Sequence, residues 1–344
     1  MSQVVPWPKP SDTHSVDKSD LCADAVGDVY DSVSVIIPTF KRPAGLQRAL
    51  ISVDNQNPCG IPIKIIVSDN DPDGGAEDIV KSFMQQSTHC VVYVHAPKPG
   101  VSNARNAALT IVESRYIAWL DDDQEAAPNW LESYLKISKM YAPAITFCPS
   151  HAVLETTSRF NAFFNDFFSR EGPSKPCEIT EIHGCGNSFM DTVQFSFPEP
   201  AFDPVANETG GEDDLLFTHL QDEGGTIAWT PDTHVKEYVP GWRSTPEYVK
   251  LRSFAYGQGP SRISANSNGF SLAGVAKWTL IGIIQVAVYA PLSLILRIIS
   301  HPSSLRVECK AREGLGKIFW HETFRPKLYG QQAQKLKTKF GQKT

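Results

Sequence analysis

The feature that most constrains the fold is a regular alternation, from residue 33 onward, between short apolar runs and longer segments with helical spacing. The apolar runs contain no polar alternation, which is typical of strands covered on both faces of a sheet. They occupy residues 33–37, 63–67, 91–94 and 116–120. Strands separated by helices in this way predict βαβ units, and therefore an α/β fold with a parallel, doubly wound sheet.

Ligands of such sheets bind beyond the carboxyl ends of the strands, so the residues that follow each apolar run are candidate site residues. They are residues 38–40, 68–70 and 121–123. The first turn contains Pro38, Thr39 and Arg42 but has no G-x-G-x-x-G pattern, and the chain has no Gly-Lys-Ser phosphate loop. This argues against a dehydrogenase-type dinucleotide domain.

Three consecutive carboxylates, Asp121, Asp122 and Asp123, come directly after the fourth apolar run. Adjacent carboxylates at the end of a buried strand repel one another unless a cation lies among them, which predicts a metal site. Hard oxygen ligands favour magnesium or manganese, and such an ion can neutralise a diphosphate leaving group. The alternative is a solvated acidic turn.

A second acidic cluster, residues 212–214, follows the glycine pair Gly210-Gly211. Acidic residues are favoured at helix amino termini by the helix dipole, so these side chains are explained equally well as the first turn of a helix. The functional hypothesis is that one of them is a general base for an acceptor hydroxyl. His234 is a candidate metal ligand, although a lone histidine is more often structural.

Five motifs, taken in order, closely resemble those of glycosyltransferase family 2. They are SVIIPTF (34–40) with Arg42, the Asp69 loop, GVSNARN (100–106), LDDD (120–123) and GEDDL (211–215). The resemblance covers roughly residues 31–238. It implies a GT-A fold, a Rossmann-like and mostly parallel α/β sheet, and an inverting transfer from a nucleotide-diphosphate sugar. A UDP-sugar is the default donor by family frequency.

The resemblance implies a donor site with a DXD motif. Asp69 accepts a hydrogen bond from the base, Asp121 faces the ribose, and Mn²⁺ or Mg²⁺ is bound by Asp123, Asp121 and His234. The full set implied for the nucleotide is Pro38, Thr39, Arg42, Asp69, Arg105, Asp121 and Asp122.

On the acceptor side, the resemblance implies that Asp213 is the catalytic base and that Glu212 positions the acceptor. The segment containing His183, Gly184 and Asn187 resembles a glycine loop beside the donor sugar and acceptor. A Gln-x-x-Arg-Trp motif of processive members is missing after the base, so we predict one sugar per encounter. The acceptor is predicted to be a glycan or a lipid-linked glycan, in cell-surface polysaccharide or glycolipid synthesis.

An uncharged apolar segment at residues 278–296 reaches the lower limit for a membrane span. Gln285, Gly282 and Pro291 weaken that interpretation and favour a re-entrant or interface-lying helix; a buried helix of a soluble domain is the alternative. From Arg297 onward there are eleven Lys or Arg against three Asp or Glu. We therefore predict a protein at an anionic membrane surface on the cytoplasmic side, peripheral or monotopic, with no nucleic-acid partner.

The predicted organisation is a flexible amino-terminal arm (1–30), a GT-A catalytic domain (31–240) and a helical extension (241–344) with the apolar segment and a basic tail. Seven cysteines without paired spacing indicate reduced thiols. The apolar carboxyl region makes a homodimer possible. Residues 160–168 place five phenylalanines on one helical face, which is either core packing or a surface for lipid.

Two other functions compete with glycosyl transfer. A catalytically inactive GT-A-shaped binding protein keeps the fold without turnover. A sugar nucleotidyltransferase uses a related fold, but the glycine-rich basic loop that it needs after the first strand is missing here.

Overall fold

The computed structural model describes residues 31–208, 210–266, 270–328 and 330–341. The arm predicted over residues 1–30 and the last three residues of the basic tail lie outside the described residues. The strands are β1 (Val33–Thr39), β2 (Ile63–Asp69), β3 (Cys90–His95), β4 (Tyr116–Trp119), β5 (Gln124–Ala126), β6 (Ile145–Phe147), β7 (Ser150–Leu154), β8 (Cys177–Ile179), β9 (Ser188–Asp191), β10 (Ile227–Trp229) and β11 (Val235–Val239). The helices are α1 (Pro43–Asp54), α2 (Glu77–Met84), α3 (Val101–Leu109), α4 (Trp130–Tyr141), α5 (Asn161–Phe168), α6 (Glu212–Asp222), α7 (Pro246–Asn266), α8 (Leu272–Ile298), α9 (Ser304–Ile318) and α10 (Gly330–Gly341).

The main sheet has eight strands in the order β3-β2-β1-β4-β9-β6-β10-β8. Strands β1 to β4 are the four predicted apolar runs, and they pair in parallel. Helices α1, α2 and α3 connect them, so the prediction of a mostly parallel, doubly wound α/β sheet is confirmed. A second, three-stranded sheet has the order β5-β11-β7.

The carboxyl ends of β1, β2 and β4 meet at one edge of the main sheet because their registers align. Thr39 is opposite Asp69, and Ile36 is opposite Trp119. Every residue of β1 is buried, which explains why this run has no polar alternation.

Strand β9 brings a distant loop to the same edge. It is antiparallel to β4, with Ser188 opposite Trp119. The residues that precede β9 therefore lie beside the residues that follow β4, which are Asp121 to Asp123. This places residues 183–187 at the candidate site.

The described residues divide into two compact units. The first contains the main sheet and comprises residues up to Ser150, Arg170–Asn207 and Gly211–Glu237. The second comprises His151–Ser169, residue 210 and the described residues from Tyr238 onward. The division is interleaved, because helix α5 belongs to the same unit as the carboxyl-terminal helices.

The phenylalanine face of α5 belongs to the core of the second unit. Phe163, Phe164 and Phe168 are buried and cluster with Tyr248 of α7 and Leu305 of α9. The interpretation as core packing is therefore confirmed for these three rings, and the hypothesis that they face lipid is wrong.

Helix α9 packs along both α7 and α8 in the second unit. Glycines permit a close approach, since a Cβ atom on Gly282 of α8 would lie 2.6 Å from the carbonyl oxygen of Gly314 on α9. Among the described residues, α8 is the one helix long and apolar enough to cross a membrane by length and composition.

Gly282→Ala is expected to lower the melting temperature of the protein, although alanine favours a helix over glycine by about 1 kcal/mol. The added methyl group meets the Gly314 carbonyl, so α8 and α9 must separate, and overpacking of this kind costs about 1–3 kcal/mol. Differential scanning fluorimetry measures the shift. Ala287→Gly, on the exposed side of α8, is the control for helix propensity alone. A higher melting temperature for Gly282→Ala would contradict the close packing.

Candidate active site

Asp122 ties the turn after β1 to the turn after β4. Its Oδ2 accepts hydrogen bonds from the Thr39 hydroxyl at 2.9 Å and from the Phe40 backbone N–H at 3.2 Å, and its Oδ1 accepts from Arg42 at 2.6 Å. The residue is buried. Thr39 is buried as well, so the hydrogen bond between them holds the two turns together, and the predicted contact of Asp122 and Thr39 with the nucleotide stays a prediction.

Arg42 and Asp123 stand at the more open side of this turn. The Arg42 guanidinium lies 2.9 Å from Asp123 Oδ2, and about two-fifths of the Arg42 side chain (40%) is exposed. Pro38 precedes them at the buried end of β1. Arg42 is therefore the residue of the predicted turn that remains accessible to a nucleotide.

Asp121 is a partly exposed carboxylate with too little positive charge around it. Burial raises its pKa to about 7, Arg105 opposes this, and the carboxylates of Asp123, Asp122 and Glu237 raise the pKa further. A carboxylate in such surroundings gains from a nearby cation. Glu237, on β11, was not among the residues predicted from the sequence.

The predicted metal ligands are brought together only in part. Asp121 and Asp123 are neighbours, but the described ranges contain no group of three or more His, Cys, Asp or Glu side chains placed to hold an ion. His234 precedes β11, where its carbonyl accepts from the Ala127 N–H. Two hard carboxylates with excess negative charge fit Mg²⁺ or Mn²⁺, which are commonly held by one or two carboxylates together with substrate phosphates and water.

Asp69 is buried at the end of β2, and both of its oxygens are engaged. Oδ1 accepts from the Asp71 N–H at 2.9 Å, and Oδ2 accepts from the Ala76 N–H at 2.9 Å and from the Tyr93 hydroxyl at 3.0 Å. The predicted contact between Asp69 and a base stays a prediction. The carboxylate already orders the β2–α2 loop.

Tyr93 and His95 were missed by the sequence prediction. They lie at the end of β3, with their rings stacked 6.4 Å apart, and the His95 Nε2 is 2.9 Å from the Asp71 carbonyl oxygen. The strand-end rule that selected Asp69 also applies to β3.

Arg105 joins the two acidic clusters. Its guanidinium is buried between the rings of Trp119 and Phe202, at 5.9 and 5.2 Å from their centroids. One nitrogen lies 2.8 Å from Glu212 Oε1 and another lies 3.7 Å from Asp121 Oδ1. Arg105, which was predicted to contact the nucleotide, is thus a buried cation inside the protein. The two acidic clusters are about ninety residues apart in the sequence but adjacent in the fold.

Glu212 and Asp213 begin helix α6 but have different surroundings. Gly210 and Gly211 have φ of 74° and 92°, a left-handed conformation that glycine adopts without strain. Glu212 is buried against Arg105. Asp213 is partly exposed, and its Oδ2 accepts from the Cys185 N–H at 3.0 Å. Of these two residues, Asp213 is therefore the one whose carboxylate an acceptor can reach, and it is held beside the glycine loop by the Cys185 N–H.

The glycine loop runs between Asp121 and Asp213. A Cβ atom on Gly186 would overlap the Asp121 carboxylate, whereas one on Gly184 would lie at an ordinary 3.6 Å from Asp213 Oδ2. The loop thus places small residues between the two carboxylates.

The other two predicted loop residues point elsewhere. Asn187 has φ of 69°, is buried, and its Oδ1 accepts from Trp130 at 3.0 Å and Tyr134 at 2.9 Å. Its side chain anchors the loop to the core. The His183 ring packs near Phe147 and Trp229, with centroids 5.2 and 5.3 Å away. Gly184 is the predicted loop residue that lies beside Asp213.

Gly186→Ala is expected to weaken manganese-dependent nucleotide binding by about tenfold or more, because the new methyl group displaces the Asp121 carboxylate and a displacement of about 1 Å can cost that much. Gly184→Ala is the matched control and should bind nearly as well as the wild type. Isothermal titration with UDP and Mn²⁺ measures both. Equal affinities for the two variants would contradict the contact between Gly186 and Asp121.

Comparison with known proteins identifies what this part of the chain is similar to. Residues 34–191 match the sequence profile described as Glycosyl transferase family 2, which covers the chain from β1 to β9. The segment from β1 to β9 is therefore similar to a glycosyltransferase family 2 domain. The resemblance found in the motifs of this segment is thereby confirmed, and the sheet described above confirms the α/β architecture.

Two similar proteins are named for succinoglycan and for teichoic acid biosynthesis. The succinoglycan biosynthesis protein ExoM of Rhizobium meliloti is 29% identical over 234 residues, which is 68% of this chain and 75% of ExoM. The minor teichoic acid biosynthesis protein GgaB of Bacillus subtilis is 34% identical over 106 residues, 31% of this chain but only 12% of GgaB. Among solved structures, S. aureus TarS (residues 1–349) in complex with UDP covers 83% of this chain and 90% of TarS, with 15% identity and a TM-score of 0.47.

Proposed function

We propose that the chain transfers one sugar from a nucleotide-diphosphate sugar, a UDP-sugar by preference, to a hydroxyl group of a glycan or lipid-linked acceptor, with inversion at the anomeric carbon. The observation that carries the proposal is the placement of Asp121 and Asp213 on either side of residues 184–186. The names of ExoM and GgaB support a role in cell-surface polysaccharide or glycolipid synthesis.

In this proposal the donor lies at the carboxyl ends of β1, β2 and β4. Asp121 and Asp123 would hold a divalent ion, which would supply positive charge to the diphosphate leaving group. Arg42 adds a second cation beside Asp123. Asp122 and Thr39 keep this arrangement in place through their hydrogen bond.

On the acceptor side, Asp213 takes the proton of the attacking hydroxyl. Its Oδ2 is oriented by the Cys185 N–H, and its Oδ1 accepts from the Asp214 N–H at 3.0 Å. Glu212 is unsuited to this step because it is buried and its Oε1 is bound to Arg105. A base aimed at the hydroxyl by fixed hydrogen bonds supplies both proton transfer and orientation.

Transfer of a single sugar is supported by the environment of Gln258, the glutamine nearest to the position of the processive motif. It is buried in the second unit, where its amide donates to the Phe319 carbonyl at 2.7 Å. Its amide is thus committed to helix packing.

A location at the cytoplasmic face of a membrane is proposed from two features. Nucleotide sugars are cytoplasmic donors, and α8 is apolar with most of its apolar window exposed (6% buried). Homodimer formation through this region stays a prediction.

The test is a screen of UDP-, GDP- and dTDP-sugars with the purified protein, with and without Mn²⁺. We expect consumption of one nucleotide sugar, only when a divalent ion is present, and a product of inverted anomeric configuration by NMR. A product of retained configuration contradicts the mechanism. Binding without turnover, with acceptor supplied, identifies an inactive binding protein; release of pyrophosphate from a nucleoside triphosphate and a sugar phosphate identifies a nucleotidyltransferase.

A further inference from the structure

Helix α8 has one covered side and one exposed side. Val275 and Gly282 are buried on the side that faces the neighbouring helices. Six of its exposed apolar residues recur every three or four positions and lie along one face: Leu280, Ile284, Val288, Leu292, Ile295 and Ile298. We call this set the α8 face. Ile283 and Leu294, beside this face, are exposed as well. A contiguous apolar face of this length marks a surface that contacts another apolar phase.

The packing of α8 is incompatible with a simple membrane span. Gly282 and Gly314 bring α8 against α9 at backbone distance, so the two helices move together. Helix α9 carries Arg306, Lys310 and Arg312, each with about half of its side chain exposed (47%, 51% and 46%). If α8 crossed the bilayer, these charged side chains would lie in the hydrocarbon region, where charged side chains are strongly disfavoured. Burial of the α8 face in a single leaflet leaves α9 in water.

A cavity of about 250 Å³ lies at the start of α8. It is lined by Arg262, Ala265, Phe270, Trp320, His321 and Glu322. One Arg262 nitrogen is 3.4 Å from Glu322, which also contacts Arg325 at 3.3 Å. Two guanidinium groups thus share one carboxylate, and burial together with Arg325 lowers the pKa of Arg262. The charge of this cluster fits an anion.

Exposed large apolar side chains line this cavity or lie close to its lining residues in the chain. Phe270, which lines it, is 62% exposed, and Leu272, at the first turn of α8, is 70% exposed. Phe324 is exposed in the same short helix as Glu322. Arginine can bind the phosphate of a lipid, and exposed apolar side chains at the start of an apolar helix can contact its acyl chains. The cavity and α8 together therefore suit a phospholipid.

We propose that the second unit docks on an anionic membrane, with the α8 face in one leaflet and the phosphate of a lipid headgroup in the cavity at Arg262. Exposed Lys277 and Arg297 flank the apolar segment and complement the same negative surface. The proposal rests on the membrane location proposed above but not on glycosyl transfer, so the two are measured separately.

The experiment is flotation of the full-length protein with phosphatidylcholine vesicles, with or without phosphatidylglycerol. We expect Arg262→Gln to bind phosphatidylglycerol vesicles about fivefold more weakly, the loss typical of one basic group at a charged membrane surface, and to bind phosphatidylcholine as the wild type does. Ile284→Gln combined with Ile295→Gln should weaken binding to both vesicles. Lys136→Gln and Ile51→Gln, exposed in the first unit, are the matched controls and should change neither.

Three outcomes overturn the proposal. The first is equal binding by Arg262→Gln and Lys136→Gln. The second is resistance of the wild type to alkaline extraction from membranes, which indicates a span. The third is a change from dimer to monomer in the Ile284 and Ile295 double variant with vesicle binding intact, which assigns the α8 face to a second copy of the chain. Nucleotide-sugar hydrolysis in solution by that double variant should equal the wild type, so a loss of docking is distinguished from a loss of catalysis.

Discussion

Asp213→Asn is expected to lower kcat for glycosyl transfer by about 10³-fold, within the range typical for removal of a general base, and to leave the affinity for UDP and Mn²⁺ unchanged. The amide keeps the size of the side chain, and its oxygen can still accept from the Cys185 N–H. What it loses is the ability to take a proton from the acceptor. Initial rates with a saturating nucleotide sugar, together with isothermal titration, measure the two quantities.

Asp214→Asn is the matched control because Asp214 lies in the same first turn of α6 but its side chain is exposed. We expect its kcat to stay within a fewfold of the wild type. Similar losses in the two variants would show that the cluster acts through its total charge, and a fully active Asp213→Asn would remove the proposed base.

Arg105→Met is expected to destabilise the protein by about 3–5 kcal/mol, the usual effect of removing one partner of a buried ion pair. The variant leaves Glu212 without its cation in a buried position and removes the positive charge nearest to Asp121. Urea unfolding followed by tryptophan fluorescence measures the change in the free energy of unfolding, since Trp119 packs on the guanidinium.

Two further variants separate the charge effect from packing. Glu212→Gln in the Arg105→Met background should restore part of the lost stability, because the uncompensated carboxylate is gone. Lys136→Met, at an exposed ion pair with Asp232, should change stability by about 1 kcal/mol or less. A cost for Arg105→Met no larger than that for Lys136→Met would show that Arg105 does not join the two clusters.

Short stretches of sequence were sufficient to predict strands β1 to β4 and the two acidic clusters. Strand β1 is identifiable because both of its faces are covered, so five of its seven residues are apolar. The two acidic clusters are identifiable from their positions. Asp121 comes just after strand β4, and Glu212 begins helix α6, where the helix dipole favours carboxylates.

Contacts between side chains that are far apart in the chain could not be predicted from the sequence. Asp121, Asp122 and Asp123 are chemically identical, and their surroundings differ because Asp122 is the one that meets both Thr39 and Arg42 across the sheet edge. Similarly, Asn187 resembles a polar loop residue, yet the antiparallel placement of β9 turns its side chain toward Trp130. His234 shows the same limit, since a lone histidine carries no spacing that fixes its partners.

The most direct test is a thermal-shift titration with UDP, in the presence and absence of Mn²⁺. It asks whether Asp123 is needed to bind the nucleotide and the cation while Asp213, the proposed base, is not. For the wild type and for Asp213→Asn, UDP should raise the melting temperature only when Mn²⁺ is present, and for Asp123→Asn it should have little effect. Stabilisation by UDP that is the same without Mn²⁺ and survives in Asp123→Asn would contradict the placement of the cation and the nucleotide at this edge of the sheet.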